Sequence, residues 1–283
     1  MNLTAPVQNP EPPGTAGWRA SIRLGFRATP ARTLLVERQH QGPLKVQRPF
    51  YPEGPPCHVY LLHPPGGVVG GDRLQIGIQV QAGAHALLTT PGASKFYRSA
   101  GPQAQQRQIL EVNSGTLEWL PQENILFPGA RLRLETEIRL DATARFIGWE
   151  IHCLGRPVID ERFEPGQALF DLVLRREQTP LLIDRWRIES PGDLSGAAGL
   201  RNHPVVGSWL ASNADRQDLE LARAAVTQSK QGVIGLSLLG ELLVARYLGD
   251  STEEARQLFQ RLWRTTRPLL LGRDACPPRI WAT

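Results

Sequence analysis

The stretch ARLRLETEIRL at residues 130–140 decides how this chain is read. Arg131, Leu132, Arg133 and Leu134 alternate charged with apolar, and an extended strand sends successive side chains to opposite faces. One face of such a strand is packed and the other is wet. The same short-period pattern extends in both directions, from Trp18 to about residue 190, through WRASIRLGFR, CHVYLLH, RLQIGIQVQAG, QRQILEVNSG, ARFIGWEIHCLG and QALFDLVLRR.

Glycines and prolines separate these segments roughly every 8 to 15 residues, which leaves no room for a helix of ordinary length. That spacing argues against repeated βαβ units and for a mainly β fold: a sandwich, a barrel or a stacked-sheet solenoid. VQAGAHALLTT (80–90) and VNSGTLEWL (112–120) share one form, a strand, a glycine turn and a further strand. Irregular stacked coils and sandwich hairpins both produce that cadence.

The flanks differ. Residues 1–17, MNLTAPVQNPEPPGTAG, are rich in proline and poor in large apolar residues, which predicts a flexible tail ahead of a β-rich body over 18–190. Residues 191–283 read as a mostly helical C-terminal part packed on that body. Leu219, Ala222, Ala225 and Val226 share one helix face. GVIGLSLLGELLVARYLG (232–249) is expected to form a second, buried helix, and STEEARQLFQRLWRTTRPLLLG (251–272) a third. Ser251 and Glu254 have the spacing of a capping box, and Pro268 is expected to end or kink that helix.

Of the 283 residues, 41% are hydrophobic and 21% charged, which suits a soluble chain. No uncharged apolar run approaches the roughly 20 residues of a membrane span. Met1 is followed by neither a basic start nor an apolar export core, so a cytoplasmic location is expected. Cys57, Cys153 and Cys276 form no C-x-x-C pair, which disfavours a disulfide framework or a structural zinc site. The net charge of +5 is dispersed along the chain, a poor nucleic-acid footprint.

LLHPPGGVVGGDRL (61–74) invites a phosphate-loop reading, but no lysine and hydroxyl residue follow its glycines, and a strand rather than a helix comes next. A stiff, glycine-permitted bend is the better reading. His152 beside Cys153, and Cys57 beside His58, have metal-ligand chemistry, yet neighbours on a strand point to opposite faces. No G-x-S-x-G elbow or other coherent set of nucleophile, base and oxyanion donors is present, so catalysis is not expected. In TTPGASKFYRS (89–99), Lys95 and Tyr97 share one strand face and Arg98 takes the other. These residues suit an acidic-partner contact or a wet strand near a turn. EWLPQENILFPG places Glu118, Gln122 and Glu123 around Trp119 and Pro121, a polar contact site or a packed crossover.

HPPGGVVGGDRL (63–74), TTPGASKFYRS (89–99), LEWLPQENILF (117–127) and PPRIWAT (277–283), in this order, resemble the urease accessory protein family UreD, also called UreH. The resemblance runs from Trp18 to Thr283. GRPVIDERFEPG (155–166) is also similar, but carries Asp160 where the family pattern has glycine.

The resemblance implies a β-helix-like stacked-sheet body with a C-terminal helical segment. It implies no enzymatic activity and no tightly bound cofactor. The expected role is a scaffold that binds apo-urease and UreF, and through UreF the GTPase UreG, while nickel passes transiently along an internal route to the urease active site. On that footing His63, Asp72, Glu118 and Glu123 are expected to line or support a nickel passage. Lys95, Tyr97, Arg98 and Gln122 are expected to form its wall or a partner face. Residues 215–272 are expected to face UreF. A metal-dependent hydrolase and a general interaction module are the alternatives from other classes.

Overall fold

The computed structural model describes residues 17–226 and 229–282; the predicted tail, apart from Gly17, lies outside the described residues, as does Thr283. The chain starts with β1 (Arg19–Ala28), β2 (Thr33–Gln41), the two-residue β3 (Lys45–Val46) and β4 (Cys57–Leu62). Three turns of a coil follow. The first is β5 (Arg73–Val80), β6 (His85–Thr89) and β7 (Ser94–Phe96); the second is β8 (Ala104–Val112), β9 (Thr116–Leu120) and β10 (Asn124–Leu126). The third is β11 (Arg131–Leu140), the long β12 (Arg145–Arg156) and the short β13 (Glu161–Arg162). The hairpin β14 (Gln167–Arg176) and β15 (Thr179–Ile188) leads to α1 (Pro191–Ser195), β16 (Val205–Ala211) and α2 (Arg216–Ala225). A second hairpin, β17 (Gly232–Leu239) and β18 (Leu242–Gly249), precedes α3 (Thr252–Leu271).

Successive turns stack in parallel register. Val80 lies beside Val112 and Val112 beside Leu140; His85 lies beside Thr116 and Thr116 beside Arg145. The repeat is about 30 residues, within the range of solenoid coils, and the two similar segments at 80–90 and 112–120 are consecutive turns of it. Three faces result. The first sheet runs β15-β14-β11-β8-β5-β1-β2, parallel from β14 to β1. The second runs β17-β18-β16-β12-β9-β6-β4-β3. The third is narrow: β7, β10 and the C-terminal half of β12, also parallel. The stacked-sheet body expected from the resemblance is the observed architecture.

Alternation sets the packing. Leu132, Leu134, Ile138 and Leu140 of β11 are buried inside the coil, while Arg133 and Arg139 face water. On the second sheet both faces are covered. Leu117 and Trp119 point into the coil, and Leu120, Ile147 and Trp149 point outward under α2 and α3. The opposite-face argument holds for the thiol–imidazole neighbours: Cys57 belongs to the inner core and Cys153 to the outer one, while the His152 ring is tilted against Phe170 with centroids 4.3 Å apart. Burial pushes the Cys57 thiol up to about 11 and the Cys153 thiol up to about 12.

The expected helix over 232–249 is instead the β17–β18 hairpin, turning at Gly240 with φ 61°. β18 is covered by the coil interior on one side and the helical layer on the other, so it reads as a continuous apolar run rather than an alternating one. The C-terminal part is thus mixed, and β16, β17 and β18 extend the second sheet instead of forming a separate bundle. α3 starts at Ser251, whose hydroxyl accepts from the Glu254 amide at 3.2 Å. The Glu254 carboxylate leaves the expected box and takes the Gln231 amide and the Tyr247 hydroxyl instead. The helix runs through Pro268 and stops at Gly272, φ 66°. Trp281 packs as the terminal motif suggests, donating to Thr89 Oγ1 at 2.9 Å beside Trp149 and Trp263. No helix among the described residues is long and apolar enough to cross a membrane.

Candidate functional site

A cavity of about 240 Å³ lies inside the coil, bordered by the 63–68 bend, the 90–95 turn and the inner faces of β5, β8 and β9. Its apolar walls include Leu74, Ile76 and Trp119. Its polar walls are less ordinary. Gln106 and Gln108 occupy the inward parity of β8, the same face as Leu110 and Val112, and Glu150 does so on β12.

Gln108 and Glu150 join with their neighbours into one line. Gln108 Nε2 donates to Thr136 Oγ1 at 3.0 Å and to Glu150 Oε1 at 3.4 Å, and the Thr136 hydroxyl donates to the same Glu150 oxygen. His152 Nε2 stands 3.6 Å from Glu150 Oε2, and Asn124 Nδ2 lies 3.3 Å from His152 Nδ1. The register explains the alignment, since Gln108 pairs with Thr136 on one sheet and Asn124 with His152 on the third face. The amide, hydroxyl and carboxylate hydrogen-bond to one another, and the imidazole stands next to the carboxylate. They are also oxygen and nitrogen donors for a divalent cation.

A second polar cluster lies outside the coil, under α3. Arg267, wholly buried, bridges Glu118 of β9 and Glu53, with Nε 2.9 Å from Glu118 Oε2 and NH2 2.6 Å from Glu53 Oε1. Glu118 also accepts from Trp263 Nε1 and lies 2.6 Å from His85 Nε2; Glu53 meets His58 Nε2 at 2.7 Å. Burial alone raises the Glu118 carboxyl, but the His85 hydrogen bond and the charges of His85 and Arg267 outweigh it and hold the group down to about 2. This cluster clamps the helix to the second sheet.

The profile of the UreD urease accessory protein family matches residues 19–282. The urease accessory protein UreD of Pseudomonas putida (strain W619) is 49% identical over 269 residues, covering 95% of each chain. The UreD protein of Alcanivorax borkumensis is 45% identical over 294 residues, covering all of both chains. That of Aliivibrio fischeri (strain ES114) is 45% identical over 280 residues, covering 95% of this chain and 98% of its own. This chain belongs to the UreD family.

In this UreD chain the predicted residues separate into distinct places. His63, Lys95 and Gln122 border the cavity. Burial pushes the His63 imidazole down, against the opposing charge of Asp72. Asp72 ties the bend: Oδ1 accepts the Trp18 amide at 2.8 Å and Oδ2 the Val69 amide at 2.9 Å. Glu118 belongs to the clamp under α3. Glu123 and Gln122 both meet Arg256 of α3, at 3.3 and 3.1 Å. Tyr97 packs on Phe127 on the third face, and Arg98 covers Gly129 beside it. Asp160 has φ 54°, a left-handed conformation that favours glycine, which gives a physical reason for glycine at this place in the family pattern.

Gln106 of the cavity wall, the members Gln108, Asn124, Thr136 and Glu150 of the inner line, and the clamp residues Glu53, His85, Trp263 and Arg267 were not predicted. The signals were parity and spacing. Gln106 and Gln108 share the parity of Leu110 and Val112, and Arg267 stands four residues after Trp263 on the packed side of α3.

Proposed function

We propose that this chain is a urease maturation scaffold that binds apo-urease and the accessory protein UreF, and through UreF the GTPase UreG, and assists nickel insertion into urease. Family membership supports the urease role. The observation that carries the nickel reading is the line from the buried Gln108, Glu150 and His152 to the half-buried Asn124, beside a cavity bordered by His63 and Lys95.

Nickel is cargo here, and the donors suit cargo. Glu150 and His152 supply one carboxylate and one imidazole, with neutral amide and hydroxyl oxygens around them. Such a set attracts a divalent cation without the soft thiolates that would retain it. His63 and Lys95 stand at the border of the cavity, Asp72 holds the bend that shapes it, and Glu118 and Glu123 support it from outside by fixing α3.

The apolar side of α3 is spent on the second sheet, where Phe259, Leu262 and Trp263 are fully buried. The UreF-facing side of 215–272 is therefore assigned to α2 and the edge strand β17, where Leu221, Val233 and Leu239 are exposed. The scaffold works without a catalytic centre of its own and in the cytoplasm. Co-purification with apo-urease, UreF and UreG, followed by nickel-dependent urease activation, tests the reading: activation that is independent of this chain would overturn it.

A further inference from the structure

The third face of the coil carries an exposed ladder that the nickel route does not use. Phe96 and Leu126 point inward and pair across β7 and β10, so Tyr97 and Phe127, one residue on, point outward. Their ring centroids are 4.7 Å apart, and the Arg156 guanidinium lies 4.7 Å from the centre of the Phe127 ring. Each member is fixed. Tyr97 lies flat against Gly67, where a Cβ would come within 2.0 Å of the ring, and Arg156 is gripped by both carboxylate oxygens of Glu161. Tyr97 nevertheless keeps 39% of its surface exposed. Just past Arg156, a short turn presents Val158, 96% exposed, and Ile159, 60% exposed.

Two cations flank Tyr97 in sequence, Lys95 and Arg98, both exposed, and neither has an acidic partner among the described residues. Rigid aromatic and guanidinium groups bind at low entropic cost, and unpaired cations beside them select carboxylates. Arg98 also borders a cleft of about 670 Å³ in which Arg131 and the apolar Phe163, Ile188 and Leu194 face Glu164 and Glu189.

We propose that the Tyr97–Phe127–Arg156 ladder, with Lys95 and Arg98 at its side, docks the urease apoprotein through an acidic surface segment that carries an apolar side chain. The proposal rests on the maturation reading above. The carboxylates meet Lys95 and Arg98, and the apolar side chain rests on Tyr97 and the Val158–Ile159 tip. Two observations favour urease over UreF as occupant: the exposed apolar residues assigned to UreF lie on other elements, α2 and β17, and Lys95 also borders the internal cavity, so a partner seated here stands beside the route nickel would leave by.

The test is binding of the full chain to purified urease apoprotein by biolayer interferometry at about 50 and 200 mM salt, with UreF as a parallel probe. The double variant Lys95→Glu/Arg98→Glu is expected to lose at least about tenfold in affinity for urease and to show a flatter salt dependence. Arg23→Glu, on the open face of the first sheet, should stay within about twofold of wild type. Thermal melts check that the charge variants are folded; Tyr97→Ser is the second variant, expected to slow no association but to speed dissociation. A double variant that binds urease within about twofold of wild type overturns the docking surface alone. A loss confined to UreF overturns the choice of occupant. A wild-type chain that binds neither partner overturns the maturation reading, and this surface with it.

Discussion

Arg267 of α3 and Glu118 of β9 form an ion pair at 2.9 Å with both side chains wholly shielded from water. The guanidinium also serves Glu53, and Glu118 also accepts from Trp263 and lies against His85, so the remaining hydrogen-bonding positions of the pair are filled. An arrangement of this kind contributes little beyond a well-packed apolar contact while intact, but its loss of one member is costly. It ties the last long helix to the coil at the level of the first and second turns.

Arg267→Met should therefore destabilise the chain by about 3–5 kcal/mol, because it leaves the buried Glu118 and the half-buried Glu53 without their cation. Urea denaturation measures this. A loss under about 1 kcal/mol would mean that the clamp is wetter or looser than the geometry described above.

The same pair makes a pH prediction. The Glu118 carboxyl goes from 4.5 when free down to about 2 in the fold. Its depressed value stabilises the folded state fully above about pH 4.5, and that contribution disappears as pH falls toward 2. The gap in stability between wild type and Glu118→Gln should accordingly be widest near neutrality and shrink between about pH 4.5 and 2. Denaturation midpoints at neutral and acid pH give the comparison, and a gap that grows with acid would contradict it.

The helical side offers a separable test. Removing the chain from Ser251 onward exposes the outer core, including Trp209 and Tyr247, and should give aggregated protein. Leu221→Glu with Val233→Glu changes only exposed positions, 40% and 61% accessible, and should leave the melting temperature within a few degrees while lowering UreF affinity about tenfold or more. Pull-down with UreF beside a thermal melt checks both halves.

Much of the fold was written in local alternation. The charged and apolar residues of 131–134 face opposite ways as the pattern requires, and the similar segments at 80–90 and 112–120 lie one above the other. The stacking itself was not legible from periodicity, because a sandwich strand and a coil strand alternate alike; the family resemblance supplied it. Residues 232–249 misled because β18 is packed on both sides and so lost its alternation, while the one acid in the run, Glu241, sits at the hairpin turn.

The site was legible in part. Motif residues such as His63, Lys95 and Gln122 do reach the cavity, while Asp72 ties the bend beside it through backbone amides. Gln108, Thr136 and Glu150, which join His152 in the line, were hidden for a different reason. Each is a polar residue at an inward position of its own strand, and only the register between coil turns, which no single strand encodes, shows that they meet.

The most direct test is the nickel content and activity of urease after reconstitution with UreF, UreG and nickel, with this chain wild type, omitted, or carrying Glu150→Gln. The substitution keeps the side chain's size and removes its charge. Urease should be loaded and active with the wild-type chain, nearly empty without it, and loaded at a rate reduced by about tenfold with Glu150→Gln in a complex that still assembles. Urease loaded equally well in all three reactions would contradict the account.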